Sequence, residues 1–510
     1  MPARRDLDAL RELQGEIETF LRSLRHPIVV EDEVELFDLT AASWRLSADF
    51  GKLLFEAWNP ARSLVRRVEE IAYRDRSKLG LFVRKPGGRE TATLELRELE
   101  RAERPARTQS RASFRQELLA VLARQYPGWR FQRVSHRSDR EHSFSAWYTR
   151  GVGRRGSTAW ALLGLSADEA PAAADALLAF GLIWLDWLRS QSERCTVSGL
   201  KLFLPRGVVE PTAHRAAYLE RRALQAELFE WNSGETQPKA VDLKDFGNVE
   251  TRLTPRRQGE ALVARHKELV RDLLGELTER VDAVPDASAN VLSLRVLGLE
   301  VARVEGLLAP RVFYGLEGNY RRLEAGEEAE FRRFVTRVLE LRTATSEHRS
   351  HDFYRLQAER WLESLLVRDI TKLDPALSPE CVYPQVPAFS GSDRGVIDIL
   401  SATRQGRLAV IELKLEEEIN LPLQGLDYWL RVKWLHERGQ FQEFGYFPGL
   451  ALAPAPPLVY LVSPAFRFHS TTDRVIRYLD RSLEVIKVGL NDRWREGVKV
   501  LFRQPARASL

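Results

Sequence analysis

Gly395-Val-Ile-Asp398-Ile-Leu-Ser-Ala-Thr-Arg-Gln-Gly-Arg-Leu-Ala-Val-Ile-Glu412-Leu-Lys414-Leu415 consists of two apolar runs joined by the polar turn Arg404-Gln-Gly-Arg407. Short runs rich in Val, Ile and Leu on either side of a glycine-containing turn predict antiparallel strands over 395–402 and 408–415. Because both faces of each run are apolar, the strands are expected inside a sheet covered on both sides. Asp398, Glu412 and Lys414 stand out as polar exceptions. Glu412 and Lys414, one residue apart, project from the same face, and pairing brings Asp398 to the same end of the hairpin.

Charges set among Val, Ile and Leu are costly unless paired or metal-bound, so a purely structural role explains them poorly. A hard divalent cation suits them. Oxygens from Asp398, Glu412 and the Leu413 backbone carbonyl, completed by water and a phosphate, describe a magnesium site, with manganese as the alternative. A lysine ammonium beside such an ion can orient water and offset developing charge as a compact point donor, which a planar guanidinium does badly. Only 12 of the chain's 77 basic residues are lysines, and Lys414 is one of them.

Gln424-Gly-Leu-Asp-Tyr428 follows on a predicted helix. The series Asp398, Glu412-Leu-Lys414, Gln424-x-x-x-Tyr428 resembles the PD-(D/E)xK nuclease superfamily, in particular its RecB-like and mismatch-endonuclease-like branches, over residues 353–489. The resemblance implies an α/β fold of the restriction-endonuclease type, a mixed sheet flanked by helices. It implies metal binding by Asp398 and Glu412, water activation by Lys414, and contacts from Gln424 and Tyr428 to the scissile strand or the metal shell. It also implies a metal-orienting acid on the preceding helix. Glu359 and Glu363, four residues apart on one helix face, are the candidates, with Glu363 preferred. Ile397 stands where the family's motif carries proline.

Outward from this hairpin, residues 353–489 read as αβββαβαβ, and residues 113–231 read in the same order. In the earlier stretch the strands are expected at 129–135, 143–150 and 159–165, with a tight turn at 151–156. Thr212, Tyr218, Leu219, Glu220 and Arg221 recur 260 positions later as Thr472, Tyr478, Leu479, Asp480 and Arg481, so the chain reads as an internal duplication. The earlier copy has no carboxylate in 143–149 or 159–165 and is expected to be a degenerate nuclease-like domain. Trp129, Phe131, Phe144, Trp147 and Tyr148 lie there among arginines. They form either a stacking surface for nucleic acid or a core with a solvated rim. Arg154 and Arg155 at the expected turn are candidate nucleic-acid contacts.

Four regions result: 1–110, 111–231, 232–350 and 351–510. The first is expected to be helical, including 43–76, with a basic β-hairpin whose tip offers Arg84 and Lys85 as phosphate contacts. The third is a linker followed by helices around a β segment at 291–304. The 510 residues, 44% hydrophobic and 29% charged, call for several globular domains. Cys195 and Cys381 match no disulfide framework or zinc spacing. The N-terminus lacks an apolar signal core and the run 176–185 is too short to span a bilayer, so a cytoplasmic protein without membrane partners is expected. A net charge of +5 permits nucleic-acid binding without demanding it. These readings together predict a magnesium-dependent deoxyribonuclease of DNA repair or defence, with RNA as substrate, endo or exo mode, and homodimerisation left open. The alternative is a catalytically silent nucleic-acid-binding or scaffold protein. No Gly-x-x-x-x-Gly-Lys-Ser/Thr loop occurs, so a helicase would be a separate partner.

Overall fold

The chain is mixed α/β, with sheets of seven, six, seven and five strands among the described residues. The computed structural model describes residues 7–506, apart from 26, 32–33, 40–41, 50–51, 60–61, 76, 85–90, 99–102, 140, 170, 192–194, 245–249, 287–288, 308, 317–318, 350 and 391–392.

Helix α1 (Glu103–Gln125) leads into β1 (Arg130–Ser135), β2 (Tyr148–Arg155) and β3 (Thr158–Leu165). Then come α2 (Pro171–Gln191), β4 (Thr196–Leu204), α3 (Glu210–Ala216), β5 (Gln225–Glu230) and β6 (Lys239–Ala240). The strands line up as β6-β5-β4-β3-β2-β1, with β3, β4 and β5 parallel and the remaining pairs antiparallel.

A second sheet is built from β7 (Thr251–Arg252), β8 (Leu377–Ser390), β9 (Asp393–Thr403), β10 (Leu408–Leu413), β11 (Leu458–Pro464), β12 (Glu484–Leu490) and β13 (Val500–Pro505). Its helices are α4 (Ala358–Arg368), α5 (Leu421–Glu437) and α6 (Thr472–Arg477). From β8 to β13 it repeats the order and directions of β1 to β6. The register agrees as well: Gly199 lies opposite Gln225, and Leu458 opposite Glu484, 26 residues apart in each case. Each central helix sets a glycine on the strand that follows it. A Cβ on Gly181 would stand 2.9 Å from Leu200 and 3.0 Å from Leu202, and one on Gly425 would stand 2.9 Å from Leu461 and 3.0 Å from Val459.

The two sheets join through α2, α3, α5 and α6 in one apolar cluster that includes Leu182, Leu219, Leu426, Trp429 and Leu479. At the contact Leu219 and Leu479 form an antiparallel bridge. Glu220 N donates to Tyr478 O at 2.8 Å and Asp480 N donates to Tyr218 O at 2.7 Å.

The expected helical character of 43–76 is wrong. Ser43–Asp49, Lys52–Asn59 and Arg62–Arg74 are strands of an antiparallel seven-stranded sheet, over which the helix Leu7–Ser23 packs. Leu53, Phe55 and Ala57 share one buried face with Val68 and Leu64 of the paired strand, and this period of two wins over the helix-like scatter of Arg and Glu. The basic hairpin is present as Lys78–Arg84 and Thr91–Glu98, but Lys85 lies outside the described residues. In the six-stranded sheet the second strand begins at Tyr148, not 143, and the turn is at Gly156. Gly151 and Gly153 looked like turn residues, yet they lie within β2, where Val134, Trp129 and Phe131 pack over them.

Between the two related sheets, Arg256–Leu274 and Glu328–Leu341 pack on a five-stranded antiparallel meander running from Asp282 to Arg322. Buried Arg342 donates to the carbonyls of Leu297, Phe353, Leu356 and Gln357. This fixes a bend at Gln357 (φ 47°) that divides the expected helix 353–368 into a short turn of helix and α4. Among the described residues no helix is long and apolar enough to cross a membrane.

The turn between β9 and β10 sets their register. Gly406 there has φ +83°, and a Cβ would lie 2.0 Å from the Ala451 carbonyl oxygen. Gly406→Ala is expected to destabilise the protein by about 2 kcal/mol or more and to lower the melting temperature; an unchanged melt would show that the turn can rearrange freely.

Candidate active site

All six residues of β10 are buried. Ile399 stands opposite Ile411, so the register carries Asp398 opposite Glu412, on the face covered by α5. Asp398 Oδ2 accepts the Leu413 amide at 2.9 Å. Lys414, just past the strand, donates its backbone N–H to Val462 O at 2.9 Å, and its Nζ lies 3.3 Å from Glu412 Oε1 and 3.9 Å from Glu359 Oε2. Glu412 is 2% exposed, and its Oε2 is buried without a hydrogen-bond partner. The structure therefore brings Asp398, Glu412, the Leu413 backbone and Lys414 together.

Burial pushes the Asp398 carboxyl up against the pull of Lys414. Burial and then Asp398 push Glu412 well above the carboxylate range, again against Lys414. Desolvation works against the Lys414 ammonium, but Glu412, Glu359 and Asp398 outweigh it and raise its pKa, so it stays charged. Buried Glu412, half-buried Asp398 and Glu359 share this one ammonium.

Helix α4 presents both expected acids, in different settings. Glu359 accepts the Leu415 amide at 3.2 Å and faces Lys414. Glu363, 5% exposed, accepts from Arg360 Nη1 at 3.0 Å and from the Gln385 amide. Desolvation, partly offset by Arg360 and reinforced by Asp398, pushes Glu363 up to about 8. Of the two α4 acids, Glu359 lies at the lysine, while Glu363, the preferred metal-orienting acid, lies within the field of Asp398. On α5, burial followed by Glu412 and Asp398 raises the Tyr428 hydroxyl, which keeps its proton. Gln424 Oε1 is buried without a hydrogen-bond partner.

Sequence reasoning missed the support around α5. Arg215 of α3 is buried and grips Asp427 through Nε at 2.9 Å and Nη2 at 2.6 Å, while its Nη2 also lies 2.7 Å from Asp175. Asp427 sits between Gln424 and Tyr428, inside the motif already singled out, and its charge was the available signal. Asn420, at the start of α5, donates to Asp175 at 3.3 Å. Burial pushes Glu418, in the same loop, up to about 7.

The six-stranded sheet has none of these groups at the matching places. Leu163 pairs with Leu202 beneath Gly181, as Glu412 pairs with Leu461 beneath Gly425. Counting from these anchors, Leu165 holds the place of Lys414, Arg150 that of Asp398, Phe180 that of Gln424 and Trp184 that of Tyr428. The Arg150 guanidinium lies 4.6 Å from the centre of the Phe144 ring and 5.7 Å from that of Trp184. Phe144 and Tyr148 are core residues, not a free stacking surface. Arg154 donates to Gly156 O and Arg155 is exposed, both at the β2–β3 turn, the opposite strand end from Leu165. Arg84 is held by Glu69 at 2.8 Å.

No family model and no curated protein matches this chain. Among the described residues no three His, Cys, Asp or Glu side chains are gathered as a ready-made ligand set. The two carboxylates that do converge, Asp398 and Glu412, suit a hard cation that retains water and a substrate oxygen. The partnerless Glu412 Oε2 and Gln424 Oε1 mark where polar demand is unmet.

A folded-state pKa raised to about 8 makes the Glu363 contribution to stability complete below pH 4.5, and it is lost as pH rises toward 8. In metal-free buffer the melting temperature of wild type should fall relative to Glu363→Gln across that window, and the difference should level off above it. Parallel curves for the two proteins would mean that Glu363 is solvated.

Proposed function

We propose that the chain is a metal-dependent phosphodiester hydrolase acting on DNA. In this reading residues 351–510 form a catalytic domain of restriction-endonuclease type, and residues 111–231 are a copy of that fold without a site. The observation that carries the reading is buried Glu412 beside half-buried Asp398, with Lys414 Nζ 3.3 Å from Glu412 and the second Glu412 oxygen unpartnered.

Asp398, Glu412 and the Leu413 carbonyl would hold magnesium or manganese, which supplies Lewis-acid polarisation of a phosphoryl oxygen and a more acidic water. The chain's own groups do the rest. Lys414, kept as an ammonium by three carboxylates, donates to the attacking water or to a phosphate oxygen as charge builds there. Tyr428, kept protonated, is a second donor on the same face, and Gln424 offers a free acceptor for water. Glu359 holds the lysine from the α4 side. The net charge of +5 is compatible with a polyanionic substrate.

The test is cleavage of single-stranded, duplex and flap DNA, and of RNA, in magnesium, manganese or chelator. Lys414→Ala is expected to reduce cleavage by about 10²–10⁴-fold with the fold intact. The cation should raise the melting temperature of wild type but not of Glu412→Gln, which reads metal binding separately from turnover. Salt-sensitive DNA binding with no metal-dependent product would replace this reading with a silent binding module.

A further inference from the structure

The two related sheets are held by contacts that run both ways between corresponding parts. Glu220 N donates to Tyr478 O, and Asp480 N, 260 positions on, donates to Tyr218 O. Leu219 and Leu479, also 260 apart, face each other in the bridge between them. From the first half, α3 reaches the central helix of the second, where Arg215 grips Asp427 and the Tyr218 ring meets Trp429 edge-on at 5.5 Å. From the second half, α6 and the residue after it reach the central helix of the first, where Tyr478 Oη donates to Asp186 at 2.9 Å and Arg477 lies 3.3 Å from the same carboxylate. Contacts in which each half offers the same patch to the other are those of an isologous twofold pair.

In such a pair the two site positions are related by the same twofold. One holds Asp398, Glu412 and Lys414, while the other holds Arg150, Leu163 and Leu165, with Phe180 and Trp184 above them. Leu163 and Leu165 are each 2% exposed, as is Trp184, so the second position is filled with side chains. A guanidinium where the first half-site has a carboxylate also repels a cation.

We infer that the chain is a dimer fused into one polypeptide with a single working half, so that each encounter with a duplex cuts one strand. The inference rests on the nuclease reading above. Twofold proteins match the local twofold of duplex DNA and address its two strands equivalently, and removing one site leaves one strand untouched. The face by which a second copy would complete the pair is already buried between the halves. Each cut is a hydrolysis. The water oxygen bonds to phosphorus, one bridging P–O bond breaks, and the departing oxygen keeps the electron pair and takes a proton, leaving a phosphomonoester and a hydroxyl end.

The test uses the full chain and a linear duplex with single-stranded tails whose two strands carry different dyes. Metal and an excess of unlabelled competitor are added together, so each labelled molecule is cut in one encounter only. Molecules cut in both strands should be no more frequent than the product of the two single-strand fractions, and the rate should be first order in protein. Coincident cuts above that product, or a rate rising with the square of protein concentration, would overturn the single working half. Absence of any metal-dependent product, with either dye, would instead remove the nuclease reading and this inference with it.

Discussion

The pairing of β9 with β10 sets two carboxylates side by side in an apolar interior, and the surrounding structure is arranged around that constraint. Burial raises both carboxyls and the charge of Asp398 raises Glu412 further, so neither can be left ionised without compensation. The Leu413 amide serves Asp398 and Lys414 serves Glu412, yet one Glu412 oxygen is still unmatched. A sheet selected for stability alone would replace the trio with aliphatic residues, since a buried ionic group rarely stabilises more than a well-packed apolar one. The matching place in the six-stranded sheet holds aliphatic residues, except for Arg150.

Support for the acids comes from three directions. Helix α4 brings Glu359 to the lysine and Glu363 beneath Asp398, and its position depends on the bend that Arg342 holds by bonding carbonyls of the meander and of the chain before α4. Residues 232–350, to which no role could be assigned from sequence, therefore help to aim an acid at the site. From the opposite side, Arg215 of the first half clamps Asp427 on the turn of α5 that carries Gln424 and Tyr428. With its side chain 4% exposed, Arg215 is a charge that cannot stand alone, and removing both Asp427 and Asp175 would cost about 3–5 kcal/mol. The first half thus acts as a wall of the site as well as a neighbour of it.

The hairpin, its turn and the trio were legible because strand alternation is local and three charged residues in an aliphatic run are conspicuous. The repeated order of elements was legible for the same reason, and the 260-residue offset pointed to the segment where the halves touch. Residues 43–76 were misread because Arg and Glu scattered through them mimic a helix surface, although the strands pair locally across short turns, Leu53 lying opposite Ala48 on one side and Val68 on the other. Gly151 and Gly153 misled for a related reason. Alone they look like turn residues, but they are strand positions cleared for Trp129 and Phe131. Arg215 could not be found locally, because 212 residues separate it from Asp427.

The six-stranded sheet differs at the matching places for physical reasons. Leu163, Leu165 and Trp184 there carry no unmet carboxylate and bury apolar area, which stabilises by roughly 25 cal/mol for each Å² taken from water. Trp184 also donates its indole N–H to Gly151 O at 2.8 Å, so even its one polar atom is satisfied. The second half cannot do the same without losing Asp398, Glu412 and Lys414, and it leans on the first through Arg215, Tyr218 and the Leu219–Leu479 bridge. Two versions of one topology thus hold different things at corresponding places, apolar side chains in one and a charged trio in the other. The apolar half packs against the half that holds the trio.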